Sequence, residues 1–478
     1  MSFSRCEILT HSATELARLI RARELSVSEV VEASLQRADE INPKLNAFTA
    51  IYHEEAREAA KCADETKLGS DVRRPLHGIP VALKDMTPIV GKLTTSGSRA
   101  FATNIAARDA WIVTALRKSG AIIIGKTTTP EFAFSSFTAS PLFGVTRNPW
   151  DPSRTPGGSS GGSAVAVATG AVALAEGSDM GGSVRIPAAL CGVVGFKPSL
   201  GRIPFDILPS VFDNISHFGP IARCCRDAAA FVAATQGPDD CDIQSLPTSF
   251  DYDGSLQIDP RSIRLALSLD FGFYAVDPEV ERNTLSIVDG LRQAGVTVQT
   301  LDLGWTARII DVWMDYWRVF MAAYFGDVYD RDATLLDQGV QQLIEQGREI
   351  TAVDYKRLEI ERTQFWYSLR DILREFDGLL CPTTALAAPL ATLSDRDFGR
   401  VDDGGRYHGL DMTALFNLVS QCPALSVPSG FTAEGLPTGL QIVGRRFRDL
   451  EVLKLGALVE SLAAAPRGSS SRAQACAI

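Results

Sequence analysis

The chain has 478 residues, of which 45% are hydrophobic, and its formal net charge is −10. This length and apolar content are ample for a large core, and a pI near 5.2 argues against nucleic acid as the main partner. Nine scattered cysteines without a C-x-x-C pair predict free thiols in a reducing compartment. The first residues lack the basic start and apolar run of a signal peptide, and no apolar stretch reaches the roughly 18 to 20 residues of a membrane span. We therefore expect a cytoplasmic protein with no membrane partner.

Residues 12–66 predict two or three helices. Ser12 or Thr14 can cap the first helix, and Ser26 precedes a second apolar-periodic run. Residues 54–67 form a charged pattern with alanines on one face. We expect this region to be a solvated helical collar.

The next stretch, PLHGIPVALKD at 75–85, predicts a short strand that ends on a lysine. Ile79, Val81 and Leu83 alternate before Lys84. Burial at such a position disfavours the ammonium form and lowers the pKa of a lysine. A lysine that is neutral near pH 7 needs a fall in pKa of about three units. Lys84 is therefore a candidate base.

Residues 120–127 match the phosphate-loop pattern G-x-x-x-x-G-K-[ST]. In a true phosphate loop the four variable positions form the loop, whereas residues 121–124 are Ala-Ile-Ile-Ile and predict a buried strand. A predicted helix at 111–119 precedes them, and Thr-Thr-Pro at 128–130 does not continue as a helix. We therefore predict no nucleotide site and a structural role for Lys126.

Residues 154–198 contain two glycine-flanked serine sites, at 157–163 and 181–183. Glycine allows sharp turns and brings backbone N–H groups close to other atoms. An exposed hydroxyl with amide donors aimed at it is the geometry of acyl transfer by a serine nucleophile. The small apolar residues at 164–175 predict a buried helix instead of a flexible linker.

The remaining predicted elements, in chain order, are a helix at 226–235, strands at 263–268 and 296–301, a helical region at 305–367, a strand and turn at 378–389, and a strand pair within 417–444. In the helical region Trp313, Trp317, Phe320 and Tyr324 recur at three- and four-residue spacing, which places them on one helix face. Such an aromatic stripe is either ordinary core or the wall of an apolar substrate pocket.

The long glycine- and serine-rich motifs RTPGGSSGGSAVAVATG (154–170) and GSDMGGSVRIPAALCGVVGFKPS (177–199) resemble the amidase signature family. PLHGIPVALKD, LLCPTTA (379–385) and GLPTGLQIVG (435–444) extend the resemblance. It implies an α/β fold in which a large mixed, twisted β-sheet is sandwiched between α-helices (α/β/α). The predicted organisation is a single domain over 1–465, with a helical collar (1–70), a catalytic core (71–245), a variable substrate-shaping region (246–375) and a return to the sheet (376–465), followed by a disordered tail (466–478).

The resemblance also implies a Ser-cisSer-Lys triad. Ser183 would be the nucleophile, Ser159 the bridging serine with a cis peptide bond before it, and Lys84 the base. The remaining expected roles are an oxyanion hole of backbone N–H groups from Met180, Gly181, Gly182 and Ser183, a hydrogen bond from Ser160 to Lys84, and polar contacts of Asp179 and Arg185 that hold the loop. Trp313, Trp317 and Phe320 are the candidate pocket residues.

The expected activity is hydrolysis of carboxylic amide C–N bonds through an acyl-enzyme. The aromatic stripe favours bulky apolar or aryl amides, with esters and carbamates (urethanes) as further candidates. We expect a small-molecule substrate, no metal or organic cofactor, and a monomer or homodimer.

Three alternative functions remain open. The first is a glutaminase-type amidotransferase component acting on misacylated glutamyl-tRNA, although such components usually have glutamine where this chain has Ile186. The second is nucleotide binding through residues 120–127, which the strand pattern of residues 121–124 disfavours. The third is a catalytically dead scaffold, which the retention of Lys84, Ser159 and Ser183 disfavours.

Overall fold

The computed structural model describes residues 3–66 and 74–463. Within these ranges the α-helices are α1 (Arg5–Thr10), α2 (Ala13–Arg21), α3 (Val27–Leu45), α4 (His53–Glu65), α5 (Trp111–Lys118), α6 (Gly161–Ala168), α7 (Arg185–Cys191), α8 (Cys225–Thr235), α9 (Pro278–Gln293), α10 (Arg308–Asp332), α11 (Gln338–Glu349), α12 (Ala352–Glu375) and α13 (Asp449–Ala463). The strands are β1 (Phe48–Ile51), β2 (Pro80–Lys84), β3 (Ile122–Thr127), β4 (Ala139–Ser140), β5 (Gly144–Val145), β6 (Leu174–Asp179), β7 (Val194–Lys197), β8 (His217–Ala222), β9 (Arg264–Leu267), β10 (Thr297–Thr300), β11 (Gly378–Pro382), β12 (Arg400–Val401), β13 (Tyr407–His408), β14 (Ala424–Phe431) and β15 (Pro437–Gly444).

One sheet of 11 strands runs through the molecule in the order β1-β3-β2-β6-β8-β7-β14-β15-β11-β9-β10. It is mixed, because β3, β2 and β6 are parallel neighbours, as are β11, β9 and β10, whereas the strands from β6 to β11 pair antiparallel. Helices α6 and α7 contact each other and strands of the sheet, and α8, α9 and α13 form a second set that does the same. The predicted α/β architecture with a large mixed sheet is confirmed.

The N-terminal helices begin where the capping residues predict. The hydroxyl of Ser12 accepts a hydrogen bond from the backbone N–H of Glu15 and starts α2. Ser26 and Glu29 form a reciprocal capping box at the start of α3. Helix α1 and strand β1 were not predicted from the sequence; β1 pairs antiparallel with β3.

The stretch at 164–175 is not one helix. Helix α6 ends at Ala168, and Gly170, with a φ of +77°, turns the chain so that β6 begins at Leu174. All residues of β6 are buried. A strand covered on both faces has no polar–apolar alternation, so its small apolar residues are hard to distinguish from a buried helix.

Strand β3 occupies residues 122–127, so the phosphate-loop match is a strand of the sheet, as predicted. The Nζ atom of Lys126 donates to Oγ1 of Thr94 at 2.7 Å and lies 3.4 Å from Oδ1 of Asp85. Lys126 is therefore part of a buried polar cluster, which supports a structural role.

Parallel strands β2 and β6 each carry a residue of the candidate site at their carboxyl end. They are hydrogen-bonded neighbours, and they end at Lys84 and Asp179, respectively. Because parallel strands present their carboxyl ends at the same edge of a sheet, both residues reach the edge where α/β proteins typically place their ligands.

None of the helices in residues 3–66 and 74–463 combines the length and hydropathy that a bilayer crossing requires. The predicted disordered tail at 466–478 lies outside the described residues, as does Lys67 at the end of the predicted 54–67 helix.

Candidate active site

Lys84 is fully buried at the end of β2 and lies against two serine hydroxyls. Its Nζ atom is 2.6 Å from Oγ of Ser159 and 3.0 Å from Oγ of Ser178. Both distances are those of hydrogen bonds. The structure therefore brings together the two buried members of the predicted triad.

Burial lowers the pKa of Lys84 to about 7, and the negative charges of Glu176 and Asp179 oppose this effect. Desolvation disfavours the ammonium form, since no full set of water molecules can solvate it. A sizeable fraction of Lys84 is thus neutral near pH 7, which is the state that a general base requires.

The second serine site lies next to the segment that carries Ser159. The peptide bond between Gly158 and Ser159 is cis, in agreement with the resemblance. The backbone N–H of Ser160 donates to the carbonyl of Ser183 at 3.1 Å, which ties the two glycine-flanked segments together. Ser183 is partly exposed, whereas Ser159 is fully buried. Of the two serines, one is therefore partly open to solvent and the other is enclosed by the protein.

The prediction that Ser160 hydrogen-bonds Lys84 is wrong. The hydroxyl of Ser160 instead donates to the backbone carbonyl of Ser178 at 3.4 Å, and the side chain of Ser178 takes the position beside Lys84. Ser178 lies on β6, one position before the end of the neighbouring parallel strand, so strand pairing brings it to Lys84. Ser178 was not identified from the sequence, because a single serine in a buried strand carries no local signal.

Asp179 and Arg185 form a fully buried ion pair that closes the loop around Ser183. Nε and Nη2 of Arg185 donate to the two carboxylate oxygens of Asp179 at 3.0 and 2.8 Å. Burial alone would raise the pKa of Asp179, but the charge and hydrogen bonds of Arg185 outweigh it and hold the pKa well below its usual range. This bidentate geometry supports the expected loop-holding role of both residues.

Three residues from the C-terminal part of the chain complete this support. Arg185 donates to Oε1 of Gln441 and to Oδ1 of Asn417, both at 2.6 Å. The hydroxyl of Thr413 donates to the carbonyl of Gly181 at 2.7 Å. All three were missed from the sequence, because more than 220 residues separate each from its partner and no spacing pattern links them.

The structure corrects the expectation for the Gly182 amide. Its N–H donates to Oδ1 of Asp179 at 2.9 Å and is therefore already engaged. Gly182 has a φ of +124°, and a Cβ atom on it would lie 1.8 Å from Oγ1 of Thr413. A Cβ atom on Gly181 would lie 2.3 Å from Cζ2 of Trp313. Both glycines are therefore required where the loop meets its neighbours.

The aromatic stripe on α10 packs against the same loop. Nε1 of Trp313 donates to the carbonyl of Met180 at 3.0 Å. The rings of Trp313 and Trp317 are stacked with centroids 6.0 Å apart, and Trp317 stacks on Phe320 at 4.9 Å. Trp313 is partly exposed, whereas Trp317 and Phe320 are buried in the main core. Of the three candidate pocket residues, Trp313 thus hydrogen-bonds the nucleophile loop, and the other two continue the stack into the core.

Comparisons with known proteins identify the family of the chain. The family model described as Amidase matches residues 29–453. An acylamidase of Rhodococcus erythropolis is 36% identical over 461 residues, which cover 94% of this chain and 95% of that protein. The A-type component of glutamyl-tRNA(Gln) amidotransferase from Chloroflexus aggregans (strain MD-66 / DSM 9485) is 33% identical over 469 residues, with 94% and 95% covered. Among solved structures, a bacterial aryl acylamidase of the amidase signature family matches with a TM-score of 0.89 at 28% identity, covering 98% of this chain and 99% of that chain.

Proposed function

The chain belongs to the amidase signature family and is an amide-hydrolysing enzyme, and from this premise we propose that Ser183 attacks the amide carbonyl and forms an acyl-enzyme. Ser159 is the bridging serine and Lys84 the base. The observation that carries this proposal is the 2.6 Å contact between Nζ of Lys84 and Oγ of Ser159 in a fully buried environment. Its test is the replacement of Ser183 and of Lys84 by alanine, with hydrolysis of an anilide as the readout.

The proposed reaction begins with neutral Lys84. The amine accepts a proton from Ser159, and Ser159 takes the proton of Ser183 as the oxygen of Ser183 bonds to the carbonyl carbon. The same relay returns a proton to the nitrogen of the departing amine, which breaks the C–N bond. Water then hydrolyses the ester of Ser183 and releases the carboxylic acid.

The negative charge that develops on the carbonyl oxygen is stabilised by backbone amides. We assign this role to the N–H groups of Met180, Gly181 and Ser183, since the N–H of Gly182 is engaged with Asp179. Removal of one such donor from a serine hydrolase costs about 3 to 4 kcal/mol of transition-state stabilisation. The Asp179–Arg185 ion pair keeps the loop in place during the reaction.

The substrate class that we propose is a bulky apolar or aryl amide. Trp313 supports this choice, because its partly exposed ring lies directly beside the loop that carries Ser183. The names of the relatives, an acylamidase and an aryl acylamidase, agree with it. Esters and carbamates of similar shape are further candidates, since they form the same acyl-enzyme.

We predict that Trp313→Ala lowers kcat/KM for anilides roughly tenfold more than for short aliphatic amides. The aryl ring of an anilide would lose the indole surface on which it packs, whereas a short aliphatic amide has no such ring. The measurement is the ratio of kcat/KM values for an acyl anilide and an aliphatic amide with the same acyl group. Trp366→Ala on α12 is the matched control and should leave this ratio unchanged. If the unaltered enzyme hydrolyses short aliphatic amides better than anilides, the proposed substrate class is wrong.

The amidotransferase alternative is tested with the same preparation. Glutamine hydrolysis at a rate comparable to anilide hydrolysis, together with co-purifying partner proteins, would favour it. We expect neither result, because Ile186 stands where those amidotransferase components usually have glutamine.

A further inference from the structure

Glu176 is a fully buried carboxylate on β6 that contacts the end of the strand carrying Lys84. Its Oε2 atom accepts a hydrogen bond from the backbone N–H of Lys84 at 2.9 Å and another from Oγ1 of Thr87 at 3.0 Å. The side chain therefore fixes both the last residue of β2 and the turn that follows it.

The other carboxylate oxygen of Glu176, Oε1, has no hydrogen-bond partner in residues 3–66 and 74–463. A buried carboxylate with one unpaired oxygen is strongly destabilised unless a nearby cation compensates its charge. A nearby cation therefore favours the charged form of Glu176.

Among the charged groups near Glu176, Lys84 is the one available to compensate its negative charge. Lys126 also faces Glu176, but its ammonium group is paired with Asp85. Asp179 acts on Lys84 but is itself held by its own arginine partner.

On α6 and β8, the residues that contact or pair with Glu176 are uncharged. From α6, the hydroxyl of Ser163 donates to the backbone carbonyl of Glu176 at 2.8 Å, and on β8 the paired residue is Pro220. Lys84 is therefore the cation whose protonation is coupled to that of Glu176.

The direction of both pKa shifts agrees with this coupling. Burial raises the pKa of Glu176 to about 7, and the backbone hydrogen bond and charge of Lys84 oppose the rise. Burial lowers the pKa of Lys84 to about 7, and the charge of Glu176 opposes the fall. Each group thus favours the charged form of the other, and the two protonation equilibria are coupled.

We propose that Glu176 is a positioning residue for the proposed base: it fixes the end of β2 through backbone contacts, and its negative charge keeps the proton affinity of Lys84 high enough to accept a proton from Ser159. Without this charge, desolvation would leave Lys84 a weaker base. The inference rests on the proposed function, in which Lys84 is the base.

The test is the pH dependence of kcat/KM in Glu176→Gln. Glutamine retains an oxygen that can accept the hydrogen bonds of Lys84 and Thr87, but it cannot carry a negative charge. We expect the acidic limb of the profile to move to lower pH by about one unit, because Lys84 then loses its proton more easily. At pH values below both acidic limbs, kcat/KM divided by its plateau value should be about tenfold higher in the variant than in the unaltered enzyme.

Glu460→Gln on α13 is the matched control. Burial raises the pKa of Glu460 to about 7 as well, and its carboxylate accepts hydrogen bonds from the backbone N–H of Cys225 at 3.1 and 2.9 Å. It contacts a different part of the protein, so we expect no shift of the acidic limb.

A second variant keeps the test decisive if Glu176→Gln folds poorly, which thermal denaturation would reveal. Thr87→Val removes one hydrogen bond to the Glu176 carboxylate and favours its protonated form, so the limb should move in the same direction by a smaller amount. The pH dependence of Ser183 sulfonylation by a sulfonyl fluoride is a second readout that does not depend on substrate binding.

Superimposable pH profiles of the unaltered enzyme and the folded variants would overturn the inference, because a purely structural Glu176 changes rates without moving the limb. The proposed function would survive that result if Lys84→Ala remained defective. Conversely, an undiminished rate in Lys84→Ala would contradict the proposed base itself, whatever the profile of Glu176→Gln.

Discussion

Ser183→Ala is expected to abolish turnover, with kcat reduced on the order of 10⁴-fold or more. Alanine removes the only atom that can bond to the substrate carbonyl in the proposed mechanism. Ser159 cannot replace it, because its hydroxyl is fully buried against Nζ of Lys84. The measurement is anilide hydrolysis at saturating substrate, with Ser255→Ala, an exposed loop serine, as a control that should retain full activity. Turnover by Ser183→Ala within tenfold of the unaltered enzyme would exclude Ser183 as the nucleophile.

The second large effect is expected for Lys84→Ala, which should lower kcat/KM by about 10²-fold or more. The loss follows from the missing proton acceptor beside Ser159. In the unaltered enzyme, kcat/KM should fall as the pH drops below about 7, because Lys84 then takes up a proton and cannot accept another. The residual activity of the variant should lack this acidic limb.

Lys84→Arg separates the role of a base from that of a positive charge. Arginine keeps a cation and hydrogen-bond donors at this position, but its guanidinium group stays protonated at any accessible pH. We therefore expect Lys84→Arg to be as defective as Lys84→Ala. Near-normal activity in Lys84→Arg would show that the site needs a charge and not a proton acceptor.

The parts of the fold that sequence predicts well are those with a local signal. The alternation of Ile79, Val81 and Leu83 predicted the strand that ends at Lys84, and the structure has β2 there. Ser26 was expected to begin a helix, and it caps α3. In both cases the residues within a few positions determine the local structure.

Central strands of the sheet were harder to predict. β6 was partly taken for a helix, and β8 lies in a region for which no strand was predicted. All residues of both strands are buried, so neither shows the polar–apolar alternation of a half-exposed strand. Their conformation depends on pairing with distant strands, which no local window contains.

The same distinction applies to the site. The resemblance placed Lys84, Ser159 and Ser183 together, and the structure brings Lys84 within 2.6 Å of Ser159. Ser178 and Asn417 were missed, because their contacts arise from strand pairing and from a segment more than 200 residues away. Glu176 did carry a usable signal, since a glutamate within an otherwise uncharged, buried stretch requires a compensating partner.

The most direct test of the central claim is the mass of the intact protein after reaction with a fluorophosphonate, followed by peptide mapping. The proposed mechanism predicts one adduct, located on Ser183, that is absent from Ser183→Ala and forms much more slowly in Lys84→Ala. An adduct on a different serine, or undiminished labelling of Ser183→Ala, would contradict the assignment of Ser183 as the activated nucleophile.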